Sequence, residues 1–330
     1  MLLLGAGGIA LQLAGPVAPS ASKPIVSEAA PSPNEVERPV AAPQHQPEAA
    51  KPVERPGRDT PGPIADPDPA LLEPGSGLGQ NLLPRIAADG RMPMQVYAAG
   101  FESSSRRPRV GFVLAGLGLN QADSEAAVRA LPHGITLAIS PYAQNTARLL
   151  STARSTEHEY LVSIPMEPQS FPLNDPGKQA LMTSLPPEQN RARLLWVLSR
   201  IEGYVGGVGA EGELRGERFA SLPDEIGLVL GELAKRGLLY IDPRPGTAPA
   251  PQVWSRSVDV VVDEPATAAD IDIKLARLAQ IARDKGSAVG LAGAPRPVLL
   301  QRLSAWAATL ESDGLALAPV SALVRAPPSQ

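Results

Sequence analysis

The chain contains no cysteine, which excludes a disulfide framework and any thiolate metal site. Histidine is scarce as well, with three in 330 residues: His45, His133 and His158. Aromatic side chains make up 4% of the sequence, too few for the stacking platforms that hold single-stranded nucleic acid or long glycans. Neither sign of charge dominates. The 30 Lys and Arg against 34 Asp and Glu leave a formal net charge of −4, so there is no basic footprint for nucleic acid. Walker and nucleophile-elbow motifs are also missing. Gly207, Gly209 and Gly212 do spell G-x-G-x-x-G. The strand before them is weak, however, and Glu211, Glu213 and Glu217 would repel a phosphate, so the segment reads as a loop.

Long apolar runs are lacking too, apart from the first 18 residues, MLLLGAGGIALQLAGPVA. This stretch falls short of the roughly 20 residues that span a bilayer and has no positive n-region. Residues 1–19 are read as a signal anchor or a truncated transmembrane segment, which would place the rest at the periplasmic face of a bacterial inner membrane or in the periplasm. Proline, by contrast, is abundant. Nearly half of the 37 prolines lie between Pro16 and Pro93. Residues 20–105, rich in Pro, Ala, Glu and Ser, read as a disordered linker, because such a composition cannot bury enough apolar surface to offset its ordering entropy. Within it the more apolar segment 77–98 is expected to dock loosely on the domain that follows.

From residue 106 to 326 the pattern alternates. Short apolar runs fit strands at 110–115, 135–140, 160–164, 204–208, 238–242, 258–262, 287–292 and 315–319. Helical periodicity fills 121–131, 144–156, 187–200, 223–236, 268–285 and 296–312. Pro187 suits a first helical position, and Thr267 with Asp270 is close to a capping box. Repeated strand–helix units imply a parallel sheet under covering helices, and this many in about 220 residues favour closure into a barrel. The organising stretch is RVGFVLAGLGLN (109–120), a buried strand that ends in a glycine turn, where an α/β barrel places its chemistry.

Those twelve residues, with LPHGITLAISPYA (131–143), EHEYLVSIPMEPQSFPLNDPG (157–177), RGLLYIDPR (236–244), VDVVVDE (258–264) and GLALAPVSALV (314–324), resemble the divergent polysaccharide deacetylase family in order and spacing. The most specific element is PMEP followed by DPG. The resemblance implies a distorted (β/α) barrel of the polysaccharide deacetylase type and a role in carbohydrate metabolism. It also implies a divalent metal held by an aspartate and two histidines, with a second aspartate as base, so that metal-bound water attacks an N-acetyl carbonyl. The matching positions here are Ala115 and Gly116 for the aspartates. The histidine-bearing segments are GGVGAEGELRGERFAS (206–221) and AGAPRP (292–297), neither with a histidine. The expectation is therefore no metal and no cofactor.

Polar residues after the strands remain as ligand-binding candidates: Asn120, Glu167, Asp242, Arg244 and Asp263. They could form a polar pocket for a sugar. Alternatively Asp242 could pair with Arg244 while Glu167 and Asp263 cap loop N–H groups. His133 and His158 precede strands and read as structural. Three functions stay open: a glycan- or partner-binding module of the cell envelope, a deacetylase or hydrolase using a rearranged carboxylate site, or an envelope scaffold. The partners implied are a cell-wall glycan or an envelope protein.

Overall fold

The computed structural model describes residues 58–327 apart from Ser76 and Ser103; the anchor at 1–19 and the linker from 20 to 57 lie outside the described residues. Among the described residues no helix is long and apolar enough to cross a membrane.

The barrel is built from strands whose alternate residues face two cores. Its first stave, β3 (Arg109–Leu117), follows four short elements: a 3-10 turn (Pro69–Leu71), the antiparallel pair β1 (Leu72–Pro74) and β2 (Leu82–Pro84), and the helix α1 (Pro93–Val96). After β3 come α2 (Gln121–Ala130), β4 (Ile135–Ile139), α3 (Ala147–Ser155), β5 (Tyr160–Ser163) and α4 (Pro187–Leu198). The second half runs β6 (Gly206–Val208), α5 (Glu217–Ala220), α6 (Pro223–Lys235), β7 (Leu239–Asp242), β8 (Ser255–Ser257), β9 (Val260–Val261), α7 (Ala268–Lys285), β10 (Ser287–Ala292), α8 (Pro297–Thr309) and β11 (Ala316–Leu317). Along β3, Val110, Phe112 and Leu114 pack outward beneath the helices, whereas Val113 and Ala115 point into the barrel. In β10, Ala288 and Ala292 face out, and Val289 and Leu291 face in. This period of two, apolar on both faces, is what a fully covered parallel strand requires.

The sheet order is β8-β7-β6-β5-β4-β3-β10-β9, with β11 against the start of β3. All neighbours in this order are parallel. The two ends of that order are consecutive in the chain. Ser255, Arg256 and Ser257 pair with Tyr240, Ile241 and Asp242 of β7, and Val260 and Val261 pair with Gly290 and Leu291 of β10. Between them Val258 donates to the Asp242 carbonyl at 2.9 Å and Asp259 to that of Val289 at 2.7 Å. One stretch thus changes partner midway and joins the edges into a distorted ring. The polar β8 carried no strand signal in the sequence. The helices follow their expected positions closely, with Asn120 and Thr267 as side-chain N-caps of α2 and α7 and proline at the first positions of α4, α6 and α8.

The expected linker gives way at residue 58. Residues 58–101 wrap the N-terminal end of the barrel, and the segment 77–98 is fastened there firmly. Leu71, Leu83, Met94, Tyr97 and Ala98 are buried. The Arg58 guanidinium donates to the carbonyls of Ala98, Pro63 and Gly62, Met94 N–H to the Gly237 carbonyl, and Arg236 to Pro84 and Glu73. Composition misleads here because this strap orders itself on a preformed surface, so the apolar area it needs is supplied by the barrel.

The strap, the barrel floor and the C-terminal 3-10 turn (Val320–Ala322) meet at Glu159. Its fully buried carboxylate accepts from Ala99 N–H at 3.0 Å, the Thr136 hydroxyl at 3.0 Å, Ser321 N–H at 3.0 Å and the Ser321 hydroxyl at 2.5 Å. Nearby His158 is buried with Nδ1 2.8 Å from the Ile135 carbonyl, and burial holds its imidazole below the usual histidine range. Replacing Glu159 by alanine strands several buried donors, each costing about 1–3 kcal/mol. Glu159→Ala is expected to lose on the order of 3–5 kcal/mol in urea unfolding and to expose Arg85 and Arg91 in the strap to trypsin. A loss below about 1 kcal/mol would show that this contact does not hold the floor.

Candidate functional site

The C-terminal ends of the staves define the mouth, and the loop after β6 determines what the mouth can do. Residues 210–220, which carry Glu211, Glu213, Arg215, Glu217 and Arg218, cross it. Glu211 and Leu214 exchange backbone hydrogen bonds at 2.8 and 3.0 Å, and Gly212, at φ +57°, makes the turn between them. The loop then touches one strand end after another. Glu213 pairs with Arg296 beyond β10, Arg215 with Glu264 beyond β9, and Arg218 with Glu167 beyond β5 at 3.0 Å.

At the centre the contacts are backbone on backbone. Gly116, at φ +72°, lies so close to Gly293 that a Cβ on Gly116 would come within 2.6 Å of the Gly293 carbonyl oxygen. A Cβ on Gly293 would meet the Cα of Glu213 at 2.8 Å and the carbonyl oxygen of Gly212 at 2.9 Å. The three segments in which the family resemblance places metal ligands therefore converge, but as packed main chain. The donor chemistry also fails: alanine and glycine replace the aspartates, and neither other segment supplies an imidazole. Among the described residues no group of three or more His, Asp or Glu could hold a metal ion. The residues present do not fit the ion.

The five candidate residues stand at the ends of their strands or in the turns just after them, and each has a partner. Asn120 is exposed and caps α2, its Oδ1 accepting from Asp123 N–H at 3.2 Å. Glu167 is buried; Oε2 accepts from the N–H and hydroxyl of Thr183, both at 2.7 Å, while Oε1 meets Arg218. Asp242 and Arg244 form a two-pronged pair at 3.0 and 2.7 Å, which raises the guanidinium pKa. Asp263 accepts from Gly293 N–H at 2.9 Å through Oδ2, whereas its buried Oδ1 has no partner; burial raises its pKa. The structure thus brings Glu167 and Asp263 against the crossing loop and its neighbours, and it leaves Asn120 on the surface.

Glu211 was not among the candidates. It is 8% exposed, and neither carboxylate oxygen has a hydrogen-bond partner. Burial pushes its pKa up to about 7, with the Ser140 hydroxyl beside it offsetting only part of that cost. A glutamate among glycines and other charges reads as solvated in a sequence; only the loop's crossing of the mouth shows it to be enclosed.

Together the ring of parallel strands, the helical cover and the loop-sealed mouth define a distorted (β/α)-barrel protein of the deacetylase type. The chain belongs to the divergent polysaccharide deacetylase family, whose profile matches residues 112–324. It is similar over 74% of its length, and over 100% of the other chain, to the crystal structure of the uncharacterised protein ATU2773 from Agrobacterium tumefaciens C58, with 32% identity and a TM-score of 0.69. A Mycobacterium smegmatis structure assigned provisionally to the polysaccharide deacetylases shares 13% identity over 67% of this chain and 90% of its own, with a TM-score of 0.43. No curated protein matches.

Two outcomes follow. The folded protein keeps on Glu211 a proton that the unfolded chain, with an ordinary glutamate pKa of 4.5, releases. Its contribution is full below pH 4.5 and is lost as pH rises through about 7, on the order of 3 kcal/mol in all. Urea unfolding at pH 5 and pH 8 should show Glu211→Gln losing less stability than the parent by most of that amount, about 2.5 kcal/mol; equal losses would place the carboxylate in water. Gly116→Asp should destabilise by about 2–5 kcal/mol, from its left-handed backbone and overpacking, and take up no zinc.

Proposed function

We propose that this chain is a carbohydrate-associated member of its family that works without a metal, as a binding module for cell-envelope glycan or an envelope protein. The observation that carries this reading is the packing of Gly116, Gly212 and Gly293 where the family chemistry would need donors and an open space. The metal-free part of this reading also draws support from the strand ends, where Asp242, Arg244 and Glu167 are committed to internal partners. The N-terminal sequence fits attachment at the periplasmic face of the inner membrane.

A second reading, hydrolysis by carboxylates alone, has one observation in its favour. Glu211 and Asp263 hold buried oxygens without partners, and an enclosed carboxyl titrating near neutrality suits general acid–base work. The full-length protein decides between the two. Mass-spectrometric metal analysis after incubation with zinc and cobalt should find no stoichiometric divalent ion. N-acetylglucosamine oligomers should release no acetate, and sedimentation with cell-wall glycan should survive chelator. Metal uptake with acetate release would overturn the proposal. Acetate release without metal, abolished in Glu211→Gln, would establish the second reading.

A further inference from the structure

A cavity lies at the end of the barrel opposite the mouth. It measures about 600 Å³ and is lined by Arg109, Trp254, Lys285, Ser287 and Arg325, with residues 322–326 along one side. That volume is within the range of small-ligand sites. A second hollow of about 250 Å³ adjoins it, sharing Lys285 and Arg325 and adding Arg256, Ser257 and Asp259.

The charges around these two spaces do not balance. Arg256, 9% exposed, donates to Asp259 at 2.8 Å, and burial together with the nearby Arg325 lowers its pKa. Asp259 also accepts from Val289 N–H at 2.9 Å and lies 3.9 Å from the Lys285 ammonium. One carboxylate thus serves two cations and a backbone donor. Among the described residues the Arg325 guanidinium makes no ion pair, yet its backbone is fixed by reciprocal bonds with Ser255 at 2.9 and 3.1 Å. Arg109 forms part of the wall, its guanidinium stacked 5.0 Å from the Phe101 ring centre. In a chain whose net charge is −4, Arg256, Lys285 and Arg325 around the single Asp259 carboxylate leave a local surplus of cations about a concave space, a preformed field for an anion.

We propose that this cavity binds the phosphate group of a phosphorylated sugar, with Lys285 and Arg325 on the phosphate and Trp254 against the sugar ring. Converging cations match a doubly charged oxyanion better than a single carboxylate. The half-buried Trp254, at the cavity wall one residue before β8, supplies the flat apolar surface that a neutral wall would lack. The site stands apart from the mouth and does not depend on how the mouth functions.

Titration of the full-length protein at low ionic strength, followed by tryptophan fluorescence and calorimetry, tests it with three probes: glucose 6-phosphate, inorganic phosphate and glucose. Glucose 6-phosphate should bind, inorganic phosphate more weakly, and glucose without detectable heat. The double variant Lys285→Gln/Arg325→Gln should weaken glucose 6-phosphate binding at least about tenfold, the loss of one charge-assisted hydrogen bond or more, with an unchanged thermal midpoint. Trp254→Leu should erase the preference for the sugar phosphate over inorganic phosphate. Failure of the parent protein to bind either phosphate, or undiminished binding by the double variant, would overturn the site. Equal affinity for the two phosphates in the parent would overturn the sugar.

Discussion

The Glu159 carboxylate is wholly buried beneath the barrel, and four donors from three separate parts of the chain converge on it. Removing a carboxylate from water costs several kcal/mol, so the strap around Ala99, the hydroxyl of Thr136 on β4 and the turn at Ser321 can only assemble together. Burial raises the pKa of the group and the four hydrogen bonds pull it back down. The dependence is mutual, because each of those donors would also be stranded without the carboxylate. With the floor fixed in this way, the interior side chains stack upward from a defined level, and the mouth inherits its geometry.

The two ends of the barrel are closed by different physics. At the floor, the four donors on the buried Glu159 carboxylate impose a unique arrangement. At the mouth, the pairs Glu213–Arg296 and Arg215–Glu264 are partly exposed, and such pairs individually contribute about 0–1 kcal/mol; in the third, only Arg218 is exposed and Glu167 is buried. They orient the loop more than they hold it. Its seat comes from main chain fitted to main chain at Gly116 and Gly293, where no side chain intervenes.

The barrel was legible because its signals are local. Apolar runs such as 110–115 and 135–140, and caps such as Thr267, encode strands and helices within a few residues of one another. Three things were not legible, and each is non-local. The strap at 58–101 looks like linker until the surface that orders it is present. Strand β8 is polar, and it exists because β7 lies alongside. Glu211 sits in a run of glycines and charges that normally marks exposed loop, and its burial depends on where residues 116 and 293 come to lie. The pairing of Asp242 with Arg244 could be read at two residues' separation, whereas the Glu167–Arg218 contact could not.

The close seating of Gly212 against Gly293 and Gly116 also bears on whether a metal ligand can be gained. In an open site, a metal ligand can be added by one substitution, since the space for it is already there. Here that volume is filled by polypeptide, so an aspartate introduced at 116 would meet a carbonyl before it met any ion. The loop would have to shorten or swing away first, and until it did the new side chain would carry only a cost. Loop and ligand are alternatives for one volume, and a chain holding the first has no single-step path to the second.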